Sequence, residues 1–184
     1  MKFSLVDFGG DPADVEGYNG RKYYRLATIT WSRPRVWISG EDFDVPRGWA
    51  GLGGVYLFTR HHHSQRSGPQ MAYIGKANRF EARLTRSHGH YDIVERQGST
   101  AVSCGRIAFE RIRSRKGYYE EIEDILILSL WHNLENTRSL DSLPGFRQSS
   151  ARTMIPWVIT NRGHRFNGAM PRRIVYPSIG VAFQ

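Results

Sequence analysis

The stretch AYIGKANRFEARL, residues 72–84, decides how this chain is read. Its apolar opening of Ala72, Tyr73 and Ile74 predicts the end of a buried strand, and Gly75 predicts a turn. Asn78 and Glu81 stand at the spacing of a capping box, so a helix is expected to begin at Arg79. Phe80 and Leu84, four apart, share the inner face of that helix, while Arg79, Arg83 and Arg86 follow a neighbouring stripe. Lys76 then stands just ahead of a helix N-terminus, with Arg83 one turn inside. Free N–H groups, an ammonium and a guanidinium gathered there suit a phosphate. A plain solvated basic face is the alternative for this stretch taken alone.

Upstream, GGVYLFTR (53–60) is a compact apolar strand. The polar loop HHHSQRSGPQ separates it from the strand ending at Tyr73, and the two are expected to pair as an antiparallel hairpin. Further out, KYYRLATIT (22–30) and RVWISG (35–40) alternate like strands around Arg33 and Pro34, which predicts a second hairpin. Residues 41–53 form a Gly/Pro/Trp-rich connector, and residues 1–20 read as a loose lead-in. Downstream, GRIAFERIRS (105–114) sets Ile107, Phe109 and Arg111 against Ala108, Glu110 and Ile112, a third strand. Tyr118 to about Leu134 is the strongest helix pattern, with Ile122, Ile125, Leu126, Ser129 and Leu130 inward. TMIPWVITN and RRIVYPSIGVAF predict further strands around a turn at HRFNGAMP.

A chain of 184 residues fits one domain with a sizeable core. No apolar run approaches the roughly 20 residues that cross a bilayer, and the start MKFSLVDFGGDP has too short an apolar stretch for a signal peptide. A soluble, cytoplasmic protein away from membranes is therefore expected. The single cysteine, Cys104, excludes an intramolecular disulfide and a cysteine zinc cluster, fits a reducing compartment and reads as core. Net charge is +9, from 26 basic and 17 acidic residues, and the basic residues are overwhelmingly arginine. Guanidinium forks match phosphate oxygens, which makes nucleic acid the leading partner. From Arg138 onward seven arginines face Asp141 alone, a lopsided flank that suits a polyanion. Arg147, Arg152, Arg162, Arg165, Arg172 and Arg173, with Arg79 and Arg86, are the candidate DNA contacts. His61, His62 and His63 cannot all point at one ion from adjacent positions, and they read as a loop near DNA.

GVY at 54–56 and YIG at 73–75 lie on successive strands, with Arg83 ten residues after Tyr73, a glutamate on a later helix and an asparagine beyond. In these features the chain resembles the GIY-YIG nuclease family over about residues 53–137. Lys76 directly after YIG is also similar to the nuclease domain of the bacterial excision-repair incision subunit. Two features depart from the pattern. Ser87 occupies the place, four after the arginine, where the family has a His or Tyr, so that His88 or His90 takes the role. The interval from Glu123 to Asn136 also runs one residue long, which leaves Asn133 or Asp124 as other registers. The resemblance implies an α+β fold, a small three-stranded antiparallel sheet flanked by helices, with extra strands at both ends. It implies a single domain over 1–184, with a nuclease core at 53–137, an N-terminal β extension at 1–52 and a basic extension at 138–184.

The implied activity is a Mg²⁺-dependent DNA endonuclease in which Mn²⁺ can substitute, in a bacterial or phage setting, with a homodimer left open. The compact layout looks more like a site-specific restriction-type enzyme than a homing nuclease. A structure-specific repair or recombination nuclease is the nearest rival, and an inactive nucleic-acid-binding module of the same fold is another. Independently of the resemblance, Glu120, Glu121, Glu123 and Asp124 crowd the start of the long helix, where they complement its dipole. A helical projection puts Glu123 about 70° from the centre of the apolar face and the other three at about 125° or more. A carboxylate turned toward a core edge needs a cation, which marks Glu123 as the metal ligand. By resemblance Tyr56 is the general base, its phenolate made accessible by Lys76 and the metal. Arg83 binds the scissile phosphate, Tyr73 with His88 nearby orients the water or shares the base role, and Asn136 completes the set.

Overall fold

A computed structural model describes residues 12–14, 16, 24–62, 68–110, 116–130, 134–136, 156–164, 170–176 and 180–182. Its frame is one curled, mixed sheet. The strands are β1 (Arg25–Trp31), β2 (Arg35–Val36), β3 (Gly54–His61), β4 (Gln70–Ala77), β5 (Ser99–Glu110), β6 (Trp157–Gly163), β7 (Arg173–Tyr176) and β8 (Gly180–Ala182). Seven run in the order β4-β3-β5-β1-β6-β7-β8, and β2 pairs beside β5. Among the described residues the helices are, besides a 3-10 turn at Pro12–Asp14, the single turns α1 (Phe80–Arg83) and α2 (Asp92–Glu95), and the longer α3 (Lys116–Leu130).

This overturns the expected small three-stranded sheet flanked by helices. β4, β3 and β5 do pair antiparallel, but the outlying strands continue the same sheet. β1 lies antiparallel along the far edge of β5 and parallel to β6, which β7 and then β8 extend. The physical reason lies in β5, long enough to carry β3 on one edge and both β1 and β2 on the other. The hairpin expected between β1 and β2 is also absent. Both strands run antiparallel to β5, so the chain continues past Arg33-Pro34 in one direction and does not fold back.

Each face of the sheet has its own core. On one, α3 packs Ile122, Ile125, Leu126 and Leu130 against Ile29, Trp31, Val55, Leu57, Ile74, Trp157 and Ile159. The helix thus buries the face its apolar spacing named. On the other, Tyr56, Phe58, Tyr73, Val102 and Cys104 meet Trp37, Phe43, Phe80, Leu84, Ile93 and Val94. A helix as short as α1 has no stability of its own. Full burial of Phe80 and Leu84, each contributing about 1.5–3 kcal/mol, anchors it instead. The expected capping box does not form: Arg79 is the N-cap with no side-chain cap bond, and the Glu81 carboxylate accepts the Gly51 N–H at 2.9 Å.

Candidate active site

β3 and β4 pair so that Tyr56 stands opposite Gly75 and Phe58 opposite Tyr73, bringing both tyrosines to the aromatic face. The Tyr56 ring lies against Gly75, where an added Cβ would overlap ring atoms; the glycine is demanded by the tyrosine. Tyr56 is fully buried and its ring centroid is 6.2 Å from that of Tyr73. Tyr73 in turn stacks on His90 at 4.3 Å.

The Tyr56 hydroxyl lies 2.7 Å from Nε2 of His88, itself buried beneath Trp37 and Phe58. The other ring nitrogen settles the direction of this bond. The backbone N–H of His90 donates to Nδ1 of His88 at 3.0 Å, so Nδ1 carries no proton. In the neutral ring the proton then sits on Nε2, which donates to Tyr56 Oη. The ring is held neutral by burial first and the Arg83 charge second, which push His88 down to about 4. Arg83, exposed on α1, acts on the same phenol through its charge and hydrogen bonding. Burial and then Tyr73 push Tyr56 up, and the charge and hydrogen bonding of Arg83 oppose that rise.

Lys76 and Glu123 occupy the other side of β4. The Lys76 ammonium is 3.1 Å from Glu120 and 3.9 Å from Glu123. Glu123 is turned inward as the projection expects, with a side chain 15% exposed against 53% for Glu120. Glu121 and Asp124 do not face away as expected: both are half-buried, and Glu121 accepts the Trp157 indole N–H at 2.9 Å. Burial pushes Glu123 up to about 7; Lys76 opposes this, and Asp124 and Glu120 add to it. The Glu123 charge is also felt at Tyr56 and Arg83, so the two sides of β4 form one electrostatic unit.

β4 is the outer strand, and side chains close its edge. The Asn136 amide accepts the Ile74 N–H at 2.9 Å and donates to the Ile74 carbonyl at 2.8 Å, imitating a neighbouring strand. Glu135 N–H donates to the Ala72 carbonyl, and the Lys76 N–H bonds Glu123. Asn136 therefore positions β4, and sequence offered only its place after Glu123 as a signal. The roles of the His90 backbone and of Glu120 had no local signal at all.

Of the arginines, Arg79, Arg162 and Arg172 are exposed and Arg173 is half-buried on β7. Arg86 is exposed but tied to Asp42, 3.7 Å away. Arg147, Arg152, Arg165, Asn133 and His63 lie outside the described residues. Among the described residues no group of three or more His, Cys, Asp or Glu could hold a metal ion. A hard cation that keeps most of its waters asks for less, and the inward Glu123 carboxylate, crowded by Glu120 and Asp124, has the oxygen chemistry it needs. Among the described residues no helix is long and apolar enough to cross a membrane. Comparison with family models, curated proteins and solved structures finds no match.

Proposed function

We propose that the protein is a Mg²⁺-dependent DNA endonuclease of the GIY-YIG type, cutting at specific sites in the manner of a restriction enzyme. The observation that carries this reading is the convergence of the His88 Nε2–H and the Arg83 guanidinium on one buried phenol oxygen. A tyrosine kept only for packing needs one partner. Two donors, one cationic, work against the rise that burial imposes on the phenol, and the proposed phenolate depends on them.

In this reading DNA enters with its scissile phosphate against the exposed guanidinium of Arg83, which meets charge as it grows on the phosphoryl oxygens. Tyr56 would take the proton of the attacking water only after its own proton has passed to solvent, with the Arg83 charge and the His88 N–H opposing the rise that burial imposes. His88 stabilises that phenolate as a donor and does not accept its proton, because Nε2 is already protonated. Glu123 would hold Mg²⁺, or Mn²⁺ in its place, and the bound cation would supply positive charge for the phosphoryl and leaving oxygens. Lys76 holds Glu120 and Glu123 in place, and Tyr73 packs between Tyr56 and His90.

The test is incubation of the purified protein with plasmid, branched and single-stranded DNA plus Mg²⁺. Discrete plasmid bands are expected. Cutting confined to branched DNA would shift the reading to a structure-specific nuclease. Binding without cutting in either Mg²⁺ or Mn²⁺ would leave a nucleic-acid-binding module.

A further inference from the structure

β5 changes character along its length. Val102 and Cys104 are covered by the aromatic roof, while Arg106, Ala108 and Glu110, on the same face further along, are exposed. The pairing registers show what surrounds the bare part. Arg106 lies opposite Gly54 of β3 on one side and Thr30 of β1 on the other, and Thr30 lies opposite Arg162 of β6. Gly54, Arg106, Thr30 and Arg162 thus form one row across four strands. The next row, on the same face, holds Tyr56 and Gly75.

Arg106, Thr30 and Arg162 are all exposed, and neither arginine has an acidic partner within ion-pair distance among the described residues. A bare sheet face is ordinary in itself. This one carries a cation at each end of a row, with a hydroxyl donor between, and Arg79 and Arg83 rise from α1 on the same face. At about 4.8 Å per strand the two arginines are on the order of 10 Å apart. Guanidinium forks and a threonine hydroxyl are donors for phosphate oxygens.

We infer that the Arg106–Thr30–Arg162 row is a docking track for the sugar-phosphate backbone of duplex DNA, one row from Tyr56 on the same face. The inference rests on the nuclease reading for its direction but not for its binding chemistry. The track contacts backbone and not base edges, so it sets affinity and position without reading sequence.

The experiment is fluorescence anisotropy of a labelled random-sequence duplex in EDTA over a range of KCl concentrations. It compares wild type with Arg106→Ala/Arg162→Ala, with Thr30→Glu, and with Arg96→Gln, whose guanidinium is engaged by Asp92 and Glu135 elsewhere. Thermal unfolding of each variant confirms the fold. The double variant is expected to lower the log–log salt slope by about two and weaken binding at least tenfold. Thr30→Glu is expected to weaken binding too, and Arg96→Gln to leave it unchanged. Equal slope and affinity in wild type and the double variant, or wild type that binds no duplex, would overturn the track. Wild type that binds with the expected slope but never cuts in Mg²⁺ would sink the nuclease reading and leave the track standing.

Discussion

On the aromatic face of β4, the Tyr56 hydroxyl is held by a histidine whose protonation is dictated by a backbone N–H; on the other side, Glu123 faces an ammonium 3.9 Å away on a side chain 38% exposed. The first arrangement cannot change partners without leaving a buried group unpaired. The second has a looser tie, since its lysine is partly open to water and stands 3.9 Å from the carboxylate, so another cation would displace only a long ion pair. In the proposed function this difference divides the labour: the face would serve proton transfer, and the looser edge would take up and release a metal.

The largest effect is expected at Arg83, which in the proposed function meets the scissile phosphate. Arg83→Ala is expected to lower single-turnover cleavage by about 10²–10³-fold with only a modest loss of duplex affinity. Proportional losses in both would make it a binding contact. Next is Gly75→Ala, which drives a Cβ into the Tyr56 ring. It is expected to destabilise by about 1–3 kcal/mol in urea unfolding and to impair cleavage through the displaced phenol. Asn136→Ala leaves the Ile74 N–H and carbonyl unpaired, with an expected loss of about 1–3 kcal/mol. Normal stability in that variant would show that the edge needs no clamp.

The smallest effect concerns pH and separates the two sides by sign. Glu123 is raised from 4.5 to about 7 by burial, so the folded metal-free protein binds more protons than the unfolded chain in that window. This contribution to stability is full below pH 4.5 and declines as pH rises through about 7. His88 is lowered from 6.5 to about 4, so its contribution is present above 6.5 and lost as pH falls through about 4. The two slopes oppose each other in wild type. In EDTA, Glu123→Gln is expected to unmask a stability that rises from pH 4 to 6.5, and His88→Gln one that falls from 4.5 to 7. Urea midpoints across pH check both; like-signed slopes would refute the division.

What the sequence disclosed follows the reach of each signal. The period of Ile122, Ile125, Leu126 and Leu130 is local, and so was the inward turn of Glu123. The pairing of β3 with β4 was readable because a short loop joins them, whereas the register that sets Tyr56 opposite Gly75 was not. Alternation in 22–30 marked a strand but could not name partners, since β6 lies beyond residue 156 and bonds in parallel. Asn78 and Glu81 had the spacing of a cap, yet Gly51 captured the carboxylate from another loop. The His88 tautomer depends on one backbone N–H, which no side-chain pattern records.

The central claim is that Tyr56 takes the proton and Glu123 holds the metal in a single cutting site. Its most direct measurement is Mg²⁺-dependent cleavage and EDTA binding of the same duplex by wild type, Tyr56→Phe and Glu123→Gln. Tyr56→Phe keeps the ring packed on Gly75, and Glu123→Gln keeps shape while removing charge. Wild type is expected to cut, and both variants to bind with near-normal affinity and not cut. Full cleavage by either variant, or no cleavage of any DNA by wild type in Mg²⁺ or Mn²⁺, would contradict the account.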